Sequence, residues 1–249
     1  MEIKKVFEEG NVAKYLVRGT NYTFMNVIRR AIMESVPCLA VEAIQIYENA
    51  SPIADEMLAN RLCLLPIKTD VKAYKKGNNV KLVLEKAGPG EVTSGDIKCS
   101  DPKIEVTDKK IPITKLGKGK KIKLEMNAVM NVGEEHSKHQ PAIVSYNEVP
   151  SINNDRKYSN LKEKLADFPK GFIAEKGGKL ALLDPYNTKI HNQHQDLLEK
   201  HGIEIEYLKT DFVLTIETTG QLNIKEIIDS AANALDEKLG EFAKELGKL

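Results

Sequence analysis

The stretch NVIRRAIMESVPCLAVEAIQIYENAS (Asn26–Ser51), continuing as PIADEMLANRLCLLPIK (Pro52–Lys68), decides how this chain is read. It joins a basic helix to an apolar strand and then to a polar helix with an apolar end. Phe24, Val27, Ile28, Ala31 and Ile32 recur at helical spacing and are expected to face a core. Thr20 or Asn21 can cap that helix, and Pro37 ends it or follows its end. Arg29 and Arg30 lie beside the apolar stripe. They could bind phosphate, but their place on a core-bearing helix favours protein contact, where a guanidinium pairs bidentately with carboxylates or backbone carbonyls. Val41–Tyr47 reads as a strand. Pro52–Leu62 reads as a helix with Ile53, Met57, Leu58 and Leu62 on one side. Asp55 and Glu56 fall in its first turn, where negative charge is favourable. Adjacent carboxylates on a helix diverge by about 100° and do not share a substrate easily, so they read as hydrogen-bond or ion-pair anchors, with Arg61 nearby.

Upstream, residues 2–18 alternate as two strands joined at Glu9-Gly10-Asn11. Downstream of Lys72 the composition shifts to Lys, Gly, Asn and Thr. Short strands at Val80–Glu85, Ile104–Val106 and Ile122–Val129 suggest a mostly antiparallel β domain. Residues 151–204 are a third compositional region, with polar loops around helical candidates at 159–167 and 191–200. Asp211–Thr218 is a strong strand broken by Gly220. A last helix starts near Asn223 and runs to about Ala243, with Ile224, Ile227, Ile228, Ala231, Leu235, Leu239 and Phe242 along one side. Such a stripe packs on a domain or on a partner. A strand–helix start and a strand–helix end can close one domain around a long insertion. The expected class is α+β.

The 249 residues suffice for two or three domains, and 41% hydrophobic with 29% charged residues is an ordinary globular composition. A net charge of +1 argues against a free-standing nucleic-acid binder. The charged, alternating first residues indicate no signal peptide, and no window approaches 18 uninterrupted apolar residues, so no membrane span is expected. Cys38, Cys63 and Cys99 form neither a disulfide framework nor a metal motif, which fits a reducing cytoplasm.

Catalytic constellations are missing. His136 and His139, and likewise His191 and His194, have a spacing that could hold zinc, but neither pair has a third ligand nearby. A local hydrogen bond holding the 133–141 turn is the plainer reading of the first pair. GKGKKIK (117–123) lacks the spacing and the hydroxyl of a phosphate-binding loop and reads as a β-turn with solvent-facing lysines. No serine, cysteine or lysine has a nucleophile's surroundings, and the carboxylates form no metal cluster. No catalytic or metal residue is assigned, which favours an assembly protein over an enzyme. Two other classes compete: an independent homodimeric nucleic-acid module using the 117–123 lysines, and a metal-dependent enzyme using the histidine pairs.

Asn26-Val27-Ile28-Arg29-Arg30 followed by Glu34-Ser35-Val36-Pro37 resembles the signature helix of the alpha-type assembly subunits of cellular RNA polymerase. Glu48-Asn49-Ala50-Ser51, Asp55-Glu56, Ala59-Asn60-Arg61-Leu62 and Leu64-Leu65-Pro66 continue the likeness. Gly133, His136-Ser137-Lys138, Pro141-Ala142 and Ser145-Tyr146 resemble the family's next motif. Phe212, Leu214, Ile216-Glu217 and Gly220, with the helix after them, resemble its closing one. The resemblance spans nearly the whole chain and is closest to the archaeal D-type members, counterparts of the eukaryotic third-largest subunit and of bacterial alpha.

The resemblance implies a discontinuous dimerisation domain, about 1–45 joined to about 205–249, a β-rich insert at 46–150, and a small third domain at 151–204 in the ferredoxin-like position. Members of the family pair with a smaller alpha-like subunit, L in archaea. Joined by the small subunits N and P, the pair forms a platform for the two large catalytic subunits. Nucleic acid is met only within that complex, and the catalytic Mg2+ belongs to a large subunit. Carried onto this chain, Phe24, Ile28, Arg29, Arg30, Ile32, Ile227, Ile228, Ala231, Leu235 and Leu239 form the partner interface. Arg29 and Arg30, with Asn49, Asp55, Glu56 and Arg61, contact the large subunits or fix the domain junction. Many archaeal members carry cysteine-ligated iron–sulfur clusters in the third domain. Residues 151–204 contain no cysteine, so no cluster is expected, and this chain is expected to bind no cofactor.

Overall fold

The computed structural model describes residues 1–154, 165, 167–177, 179–187 and 193–248. The chain divides into two compact units, Met1–Asn26 with Ser145–Ile216, and Val27–Val144 with Glu217–Leu249. The fold is a mixed α+β one with several separate sheets.

In the first unit, β1 (Glu2–Glu9) and β2 (Val12–Arg18) form an antiparallel hairpin. Gly10 turns it at a φ of 55°, a backbone region that side-chain-bearing residues rarely adopt. Their four-stranded sheet has the order β1-β2-β12-β9, with β9 at Ala142–Ile152 and β12 at Ile205–Thr218. Leu16, Val149 and Val213 make a buried cluster in this unit, and the Phe212 ring takes the Tyr22 and Tyr146 rings edge-on at 5.0 and 6.0 Å. β12 begins six residues before the expected strand (205 against 211). Its first six residues, Ile205 to Thr210, are exposed apart from the half-buried Ile205, so its buried alternation starts only where the core does. The short hairpin of β10 (Ile173–Lys176) and β11 (Lys179–Leu182) and the helix α3 (Gln195–Lys200) enclose a small core. Phe168, Phe172, Leu180, Leu198 and Ile203 fill it. The helical candidate at 159–167 falls almost wholly outside the described residues.

The second unit is built on an antiparallel sheet of order β3-β8-β4-β6. These strands are β3 (Pro37–Asn49), β4 (Asn79–Ala87), β6 (Ile97–Cys99) and β8 (Lys121–Val132). β8 alternates strictly, so Ile122, Leu124, Met126, Ala128 and Met130 all enter the core. Helix α2 (Asp55–Cys63) buries Leu58 and Leu62 completely in that core. Met57, expected on the same side, points outward instead and is 65% exposed. A smaller hairpin, β5 (Gly90–Thr93) with β7 (Pro112–Leu116), adds Val92, Ile113 and Leu116 to the same core. Ile104–Val106 is not a strand. Ile104 and Val106 are buried, but among the described residues the ladder contact there is an isolated bridge from Val106 to Ile67.

Helix α1 (Tyr22–Arg30) starts with the Asn21 side chain accepting from the Phe24 N–H at 2.9 Å. It passes at Ala31–Ser35 into a π-helical turn, and β3 begins at Pro37. The turn sits tightly against the end of β8. A Cβ on Gly133 would collide with the Met33 carbonyl oxygen, and the Glu134 N–H donates to the Glu34 carbonyl at 3.0 Å. Helix α4 (Ile224–Leu246) packs its first turns on this π-helical segment.

Candidate assembly surface

Helix α4 opens with a reciprocal cap. The Asn223 side chain accepts from the Glu226 N–H at 2.9 Å, and the Asn223 N–H donates to the Glu226 carboxylate at 3.2 Å. Ile224, Ile227 and Ala231 are buried, Ile228 and Leu235 half-buried. From Asp236 to Lys248 every residue is exposed, including Leu239, Phe242 and Leu246 at 64%, 64% and 53%. Those three recur at i, i+3 and i+7, so they share one face of the helix. Lys238 bonds Ser35 at 3.2 Å and lies 3.7 Å from Glu134, anchoring the helix where that face begins.

The other residues expected at a partner interface divide the same way. Ile32 is fully buried and Ile28 half-buried, while Phe24 is 40% exposed. Arg30 grips Glu34 in a fork, with Nε 3.0 Å from one carboxylate oxygen and Nη2 2.9 Å from the other, which holds the Glu34 carboxyl below the ordinary range. Arg29 is half-buried and donates to the Met33 sulfur at 3.7 Å.

Asn49 ends β3, and Asp55, Glu56 and Arg61 lie on the helix α2 that follows it. The Asn49 amide donates to the Ile53 carbonyl at 2.9 Å and to Asp55 at 2.7 Å, while its oxygen accepts from the Ser51 N–H and hydroxyl. This network shapes the Asn49–Ser51 loop and delivers Asp55 and Glu56, both exposed, to the first turn of α2. Arg61 donates to the Pro112 carbonyl at 2.9 Å, tying α2 to β7. Met57 on α2 and Leu64 just past its end are both more than half exposed.

His136 and His139 each have a local partner. His136 accepts the Lys138 N–H at 3.1 Å and so holds the turn. His139 is buried, its Nδ1 2.8 Å from the Cys38 carbonyl oxygen, so that nitrogen carries the proton, and burial pushes its pKa down. Beside it, Lys138 pairs with Glu42 at 2.5 Å and holds that carboxyl below its ordinary value. Glu42 is the extra residue of a bulge in β3, where the register to β8 shifts between Val41 and Ala43. His194 packs edge-on against Phe172 at 5.0 Å, and His191 lies outside the described residues. Among the described residues no three His, Cys, Asp or Glu side chains are grouped to hold a metal ion.

The thiols are unreactive. Burial pushes Cys38 up to about 12 and raises Cys63 and Cys99, so none supplies a thiolate near neutral pH. A cysteine-ligated cluster does not fit 151–204 either. That segment has no cysteine, and its described core is filled by Phe168, Phe172, Leu180 and Leu198. Gly117-Lys118-Gly119-Lys120 is a tight turn, with the Lys120 N–H donating to the Gly117 carbonyl at 3.1 Å. No helix among the described residues is long and apolar enough to cross a membrane. The chemistry these residues offer is that of contact surfaces.

Comparison with known proteins agrees with that chemistry. Residues 34–152 match the family model described as the RNA polymerase Rpb3/RpoA insert domain. The DNA-directed RNA polymerase subunit Rpo3 of Pyrococcus furiosus is 32% identical, over 100% of this chain and 98% of its own length. Rpo3 of Methanosarcina acetivorans is also 32% identical, over 100% and 99%. Rpo3 of Halobacterium salinarum is 30% identical, over 97% and 95%.

Proposed function

The chain belongs to the Rpo3 family of archaeal DNA-directed RNA polymerase subunits, and on that premise we propose that it is the larger half of the enzyme's assembly platform. It pairs with the smaller alpha-like subunit L. With N and P, the pair seats the two large subunits, one of which holds the catalytic Mg2+. The chain serves RNA synthesis in the cytoplasm by fixing geometry and touches DNA or RNA only through the complex.

One observation carries this reading. The last three turns of α4 hold Leu239, Phe242 and Leu246 in water on one face, which a stable monomer has no reason to build. In this arrangement residues 1–45 and 205–249 form the dimerisation domain, 46–150 the insert and 151–204 a third domain in the ferredoxin-like position without a cluster. Phe24, Ile28, Leu235 and Leu239 meet L directly. Ile32, Ile227 and Ala231, being buried, support the interface from beneath. Asn49, Asp55, Glu56 and Arg61 meet a large subunit or brace the domain junction.

The test is mass-resolved size-exclusion chromatography of the chain alone and co-expressed with L. A 1:1 complex that Leu239→Asp abolishes is the expected result. A monodisperse chain that ignores L overturns the pairing.

A further inference from the structure

A cleft of about 940 Å³ opens in the second unit between the 71–76 loop and the first four turns of α4. Its volume lies at the upper end of small-molecule sites, but those are lined mainly by apolar and aromatic groups. This one sets charged side chains of both signs among apolar ones such as Pro37, Val71 and Val132. The loop contributes Lys72, Lys75 and Lys76, and α4 contributes Lys225, Glu226, Asp229 and Glu237.

The loop is fixed in place. The Asp70 carboxylate accepts from the Lys72 and Ala73 N–H groups at 2.9 and 3.1 Å. The Asn78 side chain accepts from the Lys75 N–H at 2.7 Å, and the Gly77 N–H donates to Met130 of β8 at 2.9 Å. The Tyr74 hydroxyl donates to Asp101 at 2.5 Å. The lysines therefore project from a rigid base. Lys76 has an ion-pair partner in Glu135, but Lys72, Lys75, Lys225, Asp229 and Glu237 have none within 4.0 Å among the described residues. Charges of both signs thus line one cleft without closing across it.

We propose that this cleft seats an extended segment of another polymerase subunit, one whose side chains alternate between acidic and basic. An extended chain sends successive side chains to opposite sides. A segment of alternating sign can therefore set its acids against Lys72 and Lys75 and its bases against Asp229 and Glu237. An apolar helix would bury those charges unpaired, which is costly, and a polyanion such as nucleic acid would meet the α4 carboxylates Glu226, Asp229 and Glu237. Ser230 and Asn233, on the same face of α4, offer hydrogen bonds to the segment's backbone. This inference rests on the assembly reading above.

The experiment is a reconstitution of the polymerase from purified subunits, with a photo-crosslinking amino acid in place of Asn233. The cross-linked peptide is identified by mass spectrometry. The expected product is one continuous partner segment of alternating charge. Its yield should fall about tenfold in K72E/K75E and again in D229K/E237K, as expected when a few contact charges are reversed. The alanine pair K72A/K75A substitutes wherever a reversal alters melting. No inter-subunit cross-link, a cross-link to an apolar or single-sign segment, or a yield indifferent to the charge variants overturns the inference. Co-elution with L is read on the same samples. Pairing with L but no such cross-link rejects the cleft and leaves the assembly reading standing, whereas failure to enter the complex at all rejects both.

Discussion

The two halves of α4 carry the same apolar period and meet opposite fates. Ile224, Ile227 and Ala231 are buried by their own chain, while Leu239, Phe242 and Leu246 continue the stripe into water. Nothing in residue type separates the halves. What separates them is the supply of neighbours: the π-helical segment lies beside the first half, and no described residue covers the second. Periodicity therefore identifies a face to be covered, but not the molecule that covers it. A hydrophobic contact contributes to folding in the first half, and in the second only under the proposed pairing, when a partner covers it.

Paired substitutions test that contrast most severely. Ile227→Asp places an unpaired carboxylate in a fully buried position and should cost about 4 kcal/mol or more, enough to unfold the second unit in urea titration. Leu239→Asp, on the same helix three turns later, should shift the chain's own unfolding by less than about 0.5 kcal/mol while abolishing the complex with L. Equal destabilisation by both would mean that the distal half is packed by its own chain. Ile32→Asp belongs with the first variant, since Ile32 is fully buried, and loss of pairing in that variant would report misfolding rather than a broken interface.

Acid should act on the chain's own folding. Burial sets the His139 pKa in the folded chain below its ordinary 6.5, so the unfolded chain takes up the proton first. The associated stability is present above 6.5 and is lost as the pH falls from there through the lower folded value. Glu42, held below 4.5 by Lys138, contributes stability that is lost only in more acidic solution. Urea midpoints should therefore decline first just below pH 6.5, and His139→Gln should remove that step while keeping the one from Glu42. A flat profile from pH 7.5 to 5 would rule out a neutral, buried His139.

The cap of α4 should produce a smaller change shared by both halves. Asn223→Ala removes the acceptor for the Glu226 N–H and should lower stability by about 1 kcal/mol. It should leave pairing with L within about threefold, because the exposed stripe lies three turns or more from the cap. A larger loss of pairing than of stability would show that the cap sets the pitch of the distal half.

Much of this architecture was legible in the sequence, and the gaps have physical causes. The first hairpin, the place of Asp55 and Glu56 in the first turn of α2, and the start of α4 near Asn223 were readable because each depends on neighbours in sequence, although α2 begins at Asp55 rather than at Pro52. The π-helical turn was not, since Ala31–Ser35 keeps helical composition and its widened register answers to the tight approach at Gly133, far along the chain. Ile104 and Val106 alternate like a strand because both reach the core, although almost no ladder forms there. At the surface, helical spacing named Phe24, Ile28 and Ile32 together but could not say that Ile32 is enclosed and Phe24 open. The lysine cleft was not legible either, because Lys72–Lys76 reads as a shift in composition, and only the fold brings α4 alongside it.

The smallest effect is expected where charge is densest and cover least. Lys120 lies in the turn before β8, and Lys121 pairs with Glu85 at 2.9 Å with both side chains more than a third exposed. Exposed pairs of this kind contribute at most about 1 kcal/mol, because solvent screens the attraction and ordering two long side chains opposes it. Lys120→Ala with Lys121→Ala should therefore leave the urea midpoint unchanged within error and the complex with L intact. The backbone keeps the turn, since the Lys120 N–H donates to Gly117 and Gly119 holds a φ of 70° whichever side chains flank it. Loss of the complex in this variant would mean that the open face of the assembly extends beyond the α4 stripe to the insert's β-turn, and that exposure of charge marks a contact here as exposure of Leu239 and Phe242 does on the helix.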